Sequence, residues 1–123
     1  MRALVVDDSR FIRNYLRSLL TEHSVDCVEA ADGREGLECL RRSGPFSFAL
    51  VDWNMPVMSG IDLLRAARAD HAFDAMRFLM VTTEAENVNI EAALREGADE
   101  YLVKPFDEEG LFDKLRMAGV DAP

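Results

Sequence analysis

Short apolar runs alternate with stretches whose apolar residues recur every three or four positions, and this exchange of periods repeats five times along the chain. Ala3–Val6 is predicted as a first strand that stops abruptly at Asp7 and Asp8. Ser9 can cap the following helix, whose Ile12, Leu16, Leu19 and Leu20 fall on one face. Val25–Ala30 reads as a second, more weakly patterned strand. Asp32-Gly33 then turns into a helix carrying Leu37 and Leu40, which Ser43-Gly44-Pro45 ends. Phe46–Val51 is a third strand finishing on Asp52, and an irregular loop, Trp53–Ser59, follows with Pro56 and Gly60 to hold it. Ile61–Ala69 is predicted helical, with Ile61, Leu64 and Arg68 at helical spacing. Arg77–Val81 forms a fourth strand ending in Thr82-Thr83, and Ile90–Glu96 a helix closed by Gly97. Tyr101–Val103 is a fifth strand ending at Lys104-Pro105; Asp107 can cap a last helix on which Leu111, Phe112 and Leu115 share a face.

Five strand–helix alternations imply an α/β, doubly wound fold: a parallel sheet covered on both sides, with right-handed crossovers. Such sheets bind ligands beyond the carboxyl ends of their strands, where the winding direction reverses. Asp7, Asp8, Asp52, Thr82 and Lys104 all fall at predicted carboxyl ends. A chain of 123 residues fits one domain, 1–123, and needs no disulfide staples at this length.

Charge and cysteine content narrow the classes. Lys and Arg number 14 against 23 Asp and Glu, a formal charge of −9, so binding to a phosphate backbone is not expected. Asp7, Asp8 and Arg10 interrupt the first apolar run, and no long apolar span occurs; a cytoplasmic protein with no membrane attachment is expected. Cys27 and Cys39 have no metal-ligand or redox spacing and are expected as buried thiols.

The residues at the strand ends suit a particular chemistry. Three carboxylates in one crevice repel one another unless a cation joins them, and oxygen-only ligands favour a hard ion such as Mg²⁺. Asp52 could act as a nucleophile toward phosphorus, with the metal offsetting charge on the carboxylate and the phosphoryl oxygens. Lys104 would supply a point charge to a phosphoryl oxygen and Thr82 a hydrogen bond. Each residue alone has an ordinary explanation as a cap, a strand end or a turn. Five on one side of one sheet carry far more weight than any member.

At these residues the chain resembles the response-regulator receiver family, nearly end to end. Val5-Val6-Asp7-Asp8-Ser9 is similar to its acidic pair after strand one, and Asp52-Trp53-Asn54-Met55-Pro56-Val57-Met58-Ser59-Gly60 to its phosphoacceptor loop. Val81-Thr82-Thr83 and Val103-Lys104-Pro105-Phe106 resemble its threonine and lysine segments. The resemblance implies a flavodoxin-like (βα)5 sheet in the order 2-1-3-4-5. It implies Mg²⁺ bound by Asp8, Asp52 and the main-chain carbonyl of Asn54, with Asp7 acting through water. It also implies phosphoryl transfer to Asp52 from a histidine kinase or a small phosphodonor, and a cis bond before Pro105 that aims Lys104 into the site.

Within the family the likeness is greatest to the single-domain chemotaxis type. In that type, positions matching Asn54 and Glu84 flank the phosphoryl group and tune its removal by water. A Thr82/Tyr101 coupling would then carry the signal, Tyr101 turning inward as Thr82 moves toward the phosphoryl group. The output surface is the face of helix four, strand five and helix five, including Lys114, and it would meet a downstream protein. The chain is expected to act as a monomeric switch that catalyses only its own phosphorylation and dephosphorylation. Glu86 and Asn87 stand where the motor-binding type carries lysines, which weakens complementarity to an acidic partner segment. Thr83 replaces a residue that is often small.

Three other readings compete. An aspartate-nucleophile small-molecule phosphatase would place its nucleophile near the chain start in a D-x-D pattern and carry a substrate cap, which adjacent Asp7-Asp8 and the short chain do not provide. A vestigial interaction module is disfavoured by the intact cluster. A receiver cut from a longer regulator with an effector domain stays open.

Overall fold

The computed structural model describes residues 1–83 and 90–121. Its strands are β1 (Arg2–Val6), β2 (Asp26–Ala30), β3 (Phe48–Asp52), β4 (Arg77–Thr83) and β5 (Glu100–Lys104). The helices are α1 (Arg10–Glu22), α2 (Gly33–Ser43), α3 (Gly60–Arg68), α4 (Ile90–Arg95) and α5 (Glu108–Met117). The strands form one sheet in the order β2-β1-β3-β4-β5, with every pairing parallel. This is the expected doubly wound arrangement.

Continuous apolar runs make the central strands because both faces of the sheet are covered. Successive residues point to opposite faces, so each strand feeds two cores. Leu4, Val6, Ala49, Val51, Phe78 and Met80 pack with Leu40 of α2, Leu63, Leu64 and Ala67 of α3, and Ala93 of α4. Ala3, Val5, Phe48, Leu50, Leu79, Val81 and Leu102 pack with Leu16 and Leu20 of α1 and Leu111, Phe112 and Leu115 of α5.

Helix starts follow the local chemistry. Ser9, Asp32, Ser59 and Asp107 each accept a backbone N–H of the first turn with their side chains, at α1, α2, α3 and α5 respectively. Some expectations need correction. The buried face of α3 is Leu63, Leu64 and Ala67, while Ile61 is only half-buried and Arg68 turns to the lower rim of the sheet. There its guanidinium donates to the carbonyls of Phe73, Met76 and Gly97 and to Asp99, at 2.8–3.0 Å. A short 3-10 turn at His71–Phe73, capped by Asp70, was not anticipated. Cys27 and Cys39 are free but only half-buried; Cys27 stands in β2, which lies at the sheet edge, and Cys39 in α2.

The chain runs from β1 outward to β2 and then crosses back over β1 to β3. The reversal therefore lies between β1 and β3, where Asp7, Asp8 and Asp52 leave the sheet. No helix among the described residues is long and apolar enough to cross a membrane.

Candidate functional site

Asp7 sits one residue beyond β1, where its amide still bonds the Ala30 carbonyl at 3.1 Å. Its side chain is committed on both oxygens. Oδ1 accepts the Ser9 amide at 2.9 Å, and Oδ2 accepts the Lys104 ammonium at 3.1 Å. Asp52, the last residue of β3, accepts the same ammonium at 3.3 Å. Asp7 is 1% exposed and Asp52 8%, whereas Asp8 faces solvent. Carboxylate oxygens of Asp7, Asp8 and Asp52 lie within 4.8 Å of one another.

One ammonium does not balance this much negative charge. Burial pushes the Asp52 carboxyl up from 3.8 to about 6; Asp7 adds to the rise, Lys104 opposes it and Asp8 contributes a little more. Burial also works to lower the Lys104 pKa, but the hydrogen bond to Asp7 and the charges of Asp52 and Asp7 outweigh it, so the ammonium is held charged. A half-buried, all-oxygen cluster with surplus negative charge, open to solvent on the Asp8 side, fits a hard divalent cation.

The loop after Asp52 is fixed by main-chain contacts, and at Gly60 they leave no room for a side chain. Trp53 N–H donates to Val81 O at 2.9 Å, and Gly60 N–H returns to Trp53 O at 3.0 Å. A Cβ on Gly60 would fall 2.1 Å from the Asp52 carbonyl, so this close approach requires glycine. Gly33 N–H binds Met58 O at 3.1 Å, which ties the loop to the start of α2. Val57 has φ +68°, a left-handed conformation that a β-branched residue rarely adopts. Trp53 is half-buried against the core and Asn54 is exposed, two residues past Asp52.

The other expected residues divide between two places. Thr82, 1% exposed near the end of β4, donates its hydroxyl to the Thr83 carbonyl at 3.1 Å. The register pairs Thr83 with Lys104 and Asp52 with Val81, which puts these strand ends side by side. The peptide bond between Lys104 and Pro105 is cis, as is that between Gly44 and Pro45. Tyr101 and Lys114 lie away from the acidic crevice, where the Lys114 ammonium sits 4.0 Å above the Tyr101 ring and 3.4 Å from Glu100. Glu84, Glu86 and Asn87 lie outside the described residues.

The site thus unites Asp7, Asp8, Asp52 and Lys104, with Thr82 on the neighbouring strand. Sequence reasoning missed Arg13, whose Nη1 donates to the Asp7 carbonyl at 2.5 Å and whose Nε lies 3.3 Å from Glu29. Nothing in its place five residues past Asp8 marks it in the sequence, because its target is a main-chain carbonyl.

Residues 3–116 match the family described as "Response regulator receiver domain". The chain is 43% identical over 116 residues to a chemotaxis protein CheY of Pseudomonas aeruginosa, covering 94% of this chain and 93% of that one. It is 37% identical over 118 residues to a chemotaxis protein CheY1 of Helicobacter pylori, covering 95% of each. The solved structure of Vibrio cholerae chemotaxis protein CheY4 superposes with a TM-score of 0.88 at 34% identity, over 95% of this chain and 97% of that one.

Proposed function

Because the chain belongs to the response regulator receiver family, we propose that it is a phosphorylation-driven signalling switch whose phosphoacceptor is Asp52. The observation that carries this reading is the convergence of Asp7, Asp8, Asp52 and Lys104 at the point where the sheet reverses its winding. An Asp52 carboxylate oxygen forms a bond to phosphorus. The bond from phosphorus to the donor breaks, leaving its electron pair on an imidazole nitrogen of a histidine kinase or on the oxygen of a small acyl phosphate.

Receiver domains bind Mg²⁺ at an acidic pocket, and here Asp7, Asp8, Asp52 and the main-chain carbonyl of Asn54 would hold it. The bound ion offsets negative charge on the carboxylates and the phosphoryl oxygens. Lys104, already between Asp7 and Asp52, meets a phosphoryl oxygen with its ammonium. Thr82 exchanges its bond to the Thr83 carbonyl for one to the phosphoryl group. Asn54, together with Glu84 as the family resemblance implies, sets how fast water removes that group; the only chemistry is the domain's own phosphorylation and dephosphorylation.

The output would leave through α4, β5 and α5. When Thr82 moves, Tyr101 turns inward and its contact with Lys114 breaks, which changes the face offered to a downstream protein. The likeness to chemotaxis proteins supports a role in chemotaxis signalling, with residues 1–123 acting as one monomeric cytoplasmic domain that binds neither nucleic acid nor membrane. Glu86 and Asn87 in place of lysines favour a partner other than an acidic motor segment.

Adding acetyl phosphate to the Mg²⁺-loaded protein should change Trp53 fluorescence within minutes. The change should vanish on chelation and in Asp52→Asn and Asp8→Ala. A full response in Asp52→Asn would refute the assignment.

A further inference from the structure

The turn that carries the acidic pair has to hold its shape without help from the sheet. Pairing of β1 with both neighbours ends at Val6, and Asp7 keeps only its amide bond to Ala30. The Asp7 carbonyl, in a residue 1% exposed, points to the first turns of α1 and takes its hydrogen bond from Arg13 at 2.5 Å. A buried carbonyl left without a donor is costly, so the turn would rearrange if Arg13 were lost.

Arg13 is itself held. Its side chain is 15% exposed, its Nε lies 3.3 Å from Glu29 in β2, and Glu29 also pairs with Arg17 one helical turn on. The helix, the β2 end and the acidic turn are thereby clamped around one guanidinium. The Arg13 amide adds a bond to the Ser9 carbonyl at 3.0 Å, which links the same turn to the helix start.

We infer that Arg13, braced by Glu29, is a positioning residue for the acidic pair and sets the affinity of the site for divalent cation. The inference rests on the reading of Asp7, Asp8 and Asp52 as a cation site. It carries a sign that separates it from a simple field effect. A guanidinium near the site repels a cation, so if only its charge mattered, its removal would tighten Mg²⁺ binding. If it positions the carboxylates, its removal weakens binding, as loss of groups that orient metal ligands does.

The test is calorimetric titration of the whole chain with Mg²⁺, well below the melting temperature, for the wild type, Arg13→Met, Arg13→Lys, Glu29→Gln, Asp8→Ala and Arg68→Lys. Arg13→Met should raise the Mg²⁺ Kd about 10-fold. Arg13→Lys keeps a donor for the Asp7 carbonyl and should restore most of the affinity; Glu29→Gln, which removes the brace and tests the clamp should Arg13→Met not fold, should give a smaller rise. Arg68→Lys, at the opposite rim of the sheet, should lower the melting temperature and leave Kd unchanged, which separates positioning from general stability. Unchanged or tighter Mg²⁺ binding in Arg13→Met, with Asp8→Ala weakened, overturns the role of Arg13 alone. Unchanged binding in Asp8→Ala overturns the cation-site reading itself.

Discussion

Replacing Asp52 by Asn should stabilise the metal-free protein, although it removes the residue on which the function depends. Asn approximates the protonated carboxyl in shape and charge. The Asp52 pKa rises from 3.8 to about 6 on folding, a shift of about two units, and each unit is worth about 1.4 kcal/mol. The full linkage is therefore about 3 kcal/mol, which solvent screening at this crevice reduces to about 1–2 kcal/mol. Since the folded pKa is the higher one, the native state holds its proton more tightly than the unfolded chain. The stability this gives is complete below pH 3.8 and lost as pH rises through about 6. At pH 8 the native state carries the whole penalty of the charged carboxylate, and Asp52→Asn escapes it. Urea unfolding followed by Trp53 fluorescence with EDTA present should show the variant more stable by about 1–2 kcal/mol at pH 8. At pH 4 most of the gain should be gone. Saturating Mg²⁺ should narrow it at pH 8 by stabilising the wild type in proportion to RT ln(1 + [Mg²⁺]/Kd). A variant no more stable than the wild type at pH 8, or a gain equal at both pH values, would refute the reasoning.

Other substitutions test the scaffold. Arg68→Ala strips a charged donor from three carbonyls and from Asp99, and should cost about 4 kcal/mol in the same unfolding assay at about 1 kcal/mol per contact. Val57 is 75% exposed at φ +68°, so Val57→Asn relieves backbone strain without losing core packing and should add about 1 kcal/mol. Gly60→Ala forces the acceptor loop away from the Asp52 carbonyl; it should slow phosphorylation by acetyl phosphate more than tenfold and lower the melting temperature. Burial raises the Cys27 pKa from 9.0 to about 11, so the thiol should alkylate with iodoacetamide at pH 8 about 100-fold more slowly than an unperturbed cysteine.

Much of the fold was legible because its signals are local. Asp7, Asp52 and Lys104 each interrupt an apolar run, and the run ends are where a parallel sheet hands the chain to a loop. Ser9, Asp32 and Asp107 announce helix starts through their own side chains. What stayed hidden depends on partners distant in sequence. Arg68 was legible only as a position at helical spacing in α3, and its role is set by carbonyls of Phe73, Met76 and Gly97 that only the folded rim brings together. Arg13 was invisible for the same reason, since its target is a backbone carbonyl with no side-chain signature. The half-burial of Cys27 follows from β2 lying at the sheet edge, a consequence of strand order that the β2 sequence does not carry. Gly60 was read as a loop brace, and its closeness to the Asp52 carbonyl explains why that brace requires glycine.

The central claim is that Asp52 receives the phosphoryl group, and peptide-level mass mapping tests it most directly. After incubation with Mg²⁺ and acetyl phosphate, the intact chain should gain one phosphoryl mass, located by borohydride trapping at Asp52. The Asp52→Asn chain should gain none. A phosphoryl group mapped to any other residue of the wild type, or equal incorporation into Asp52→Asn, would contradict the account.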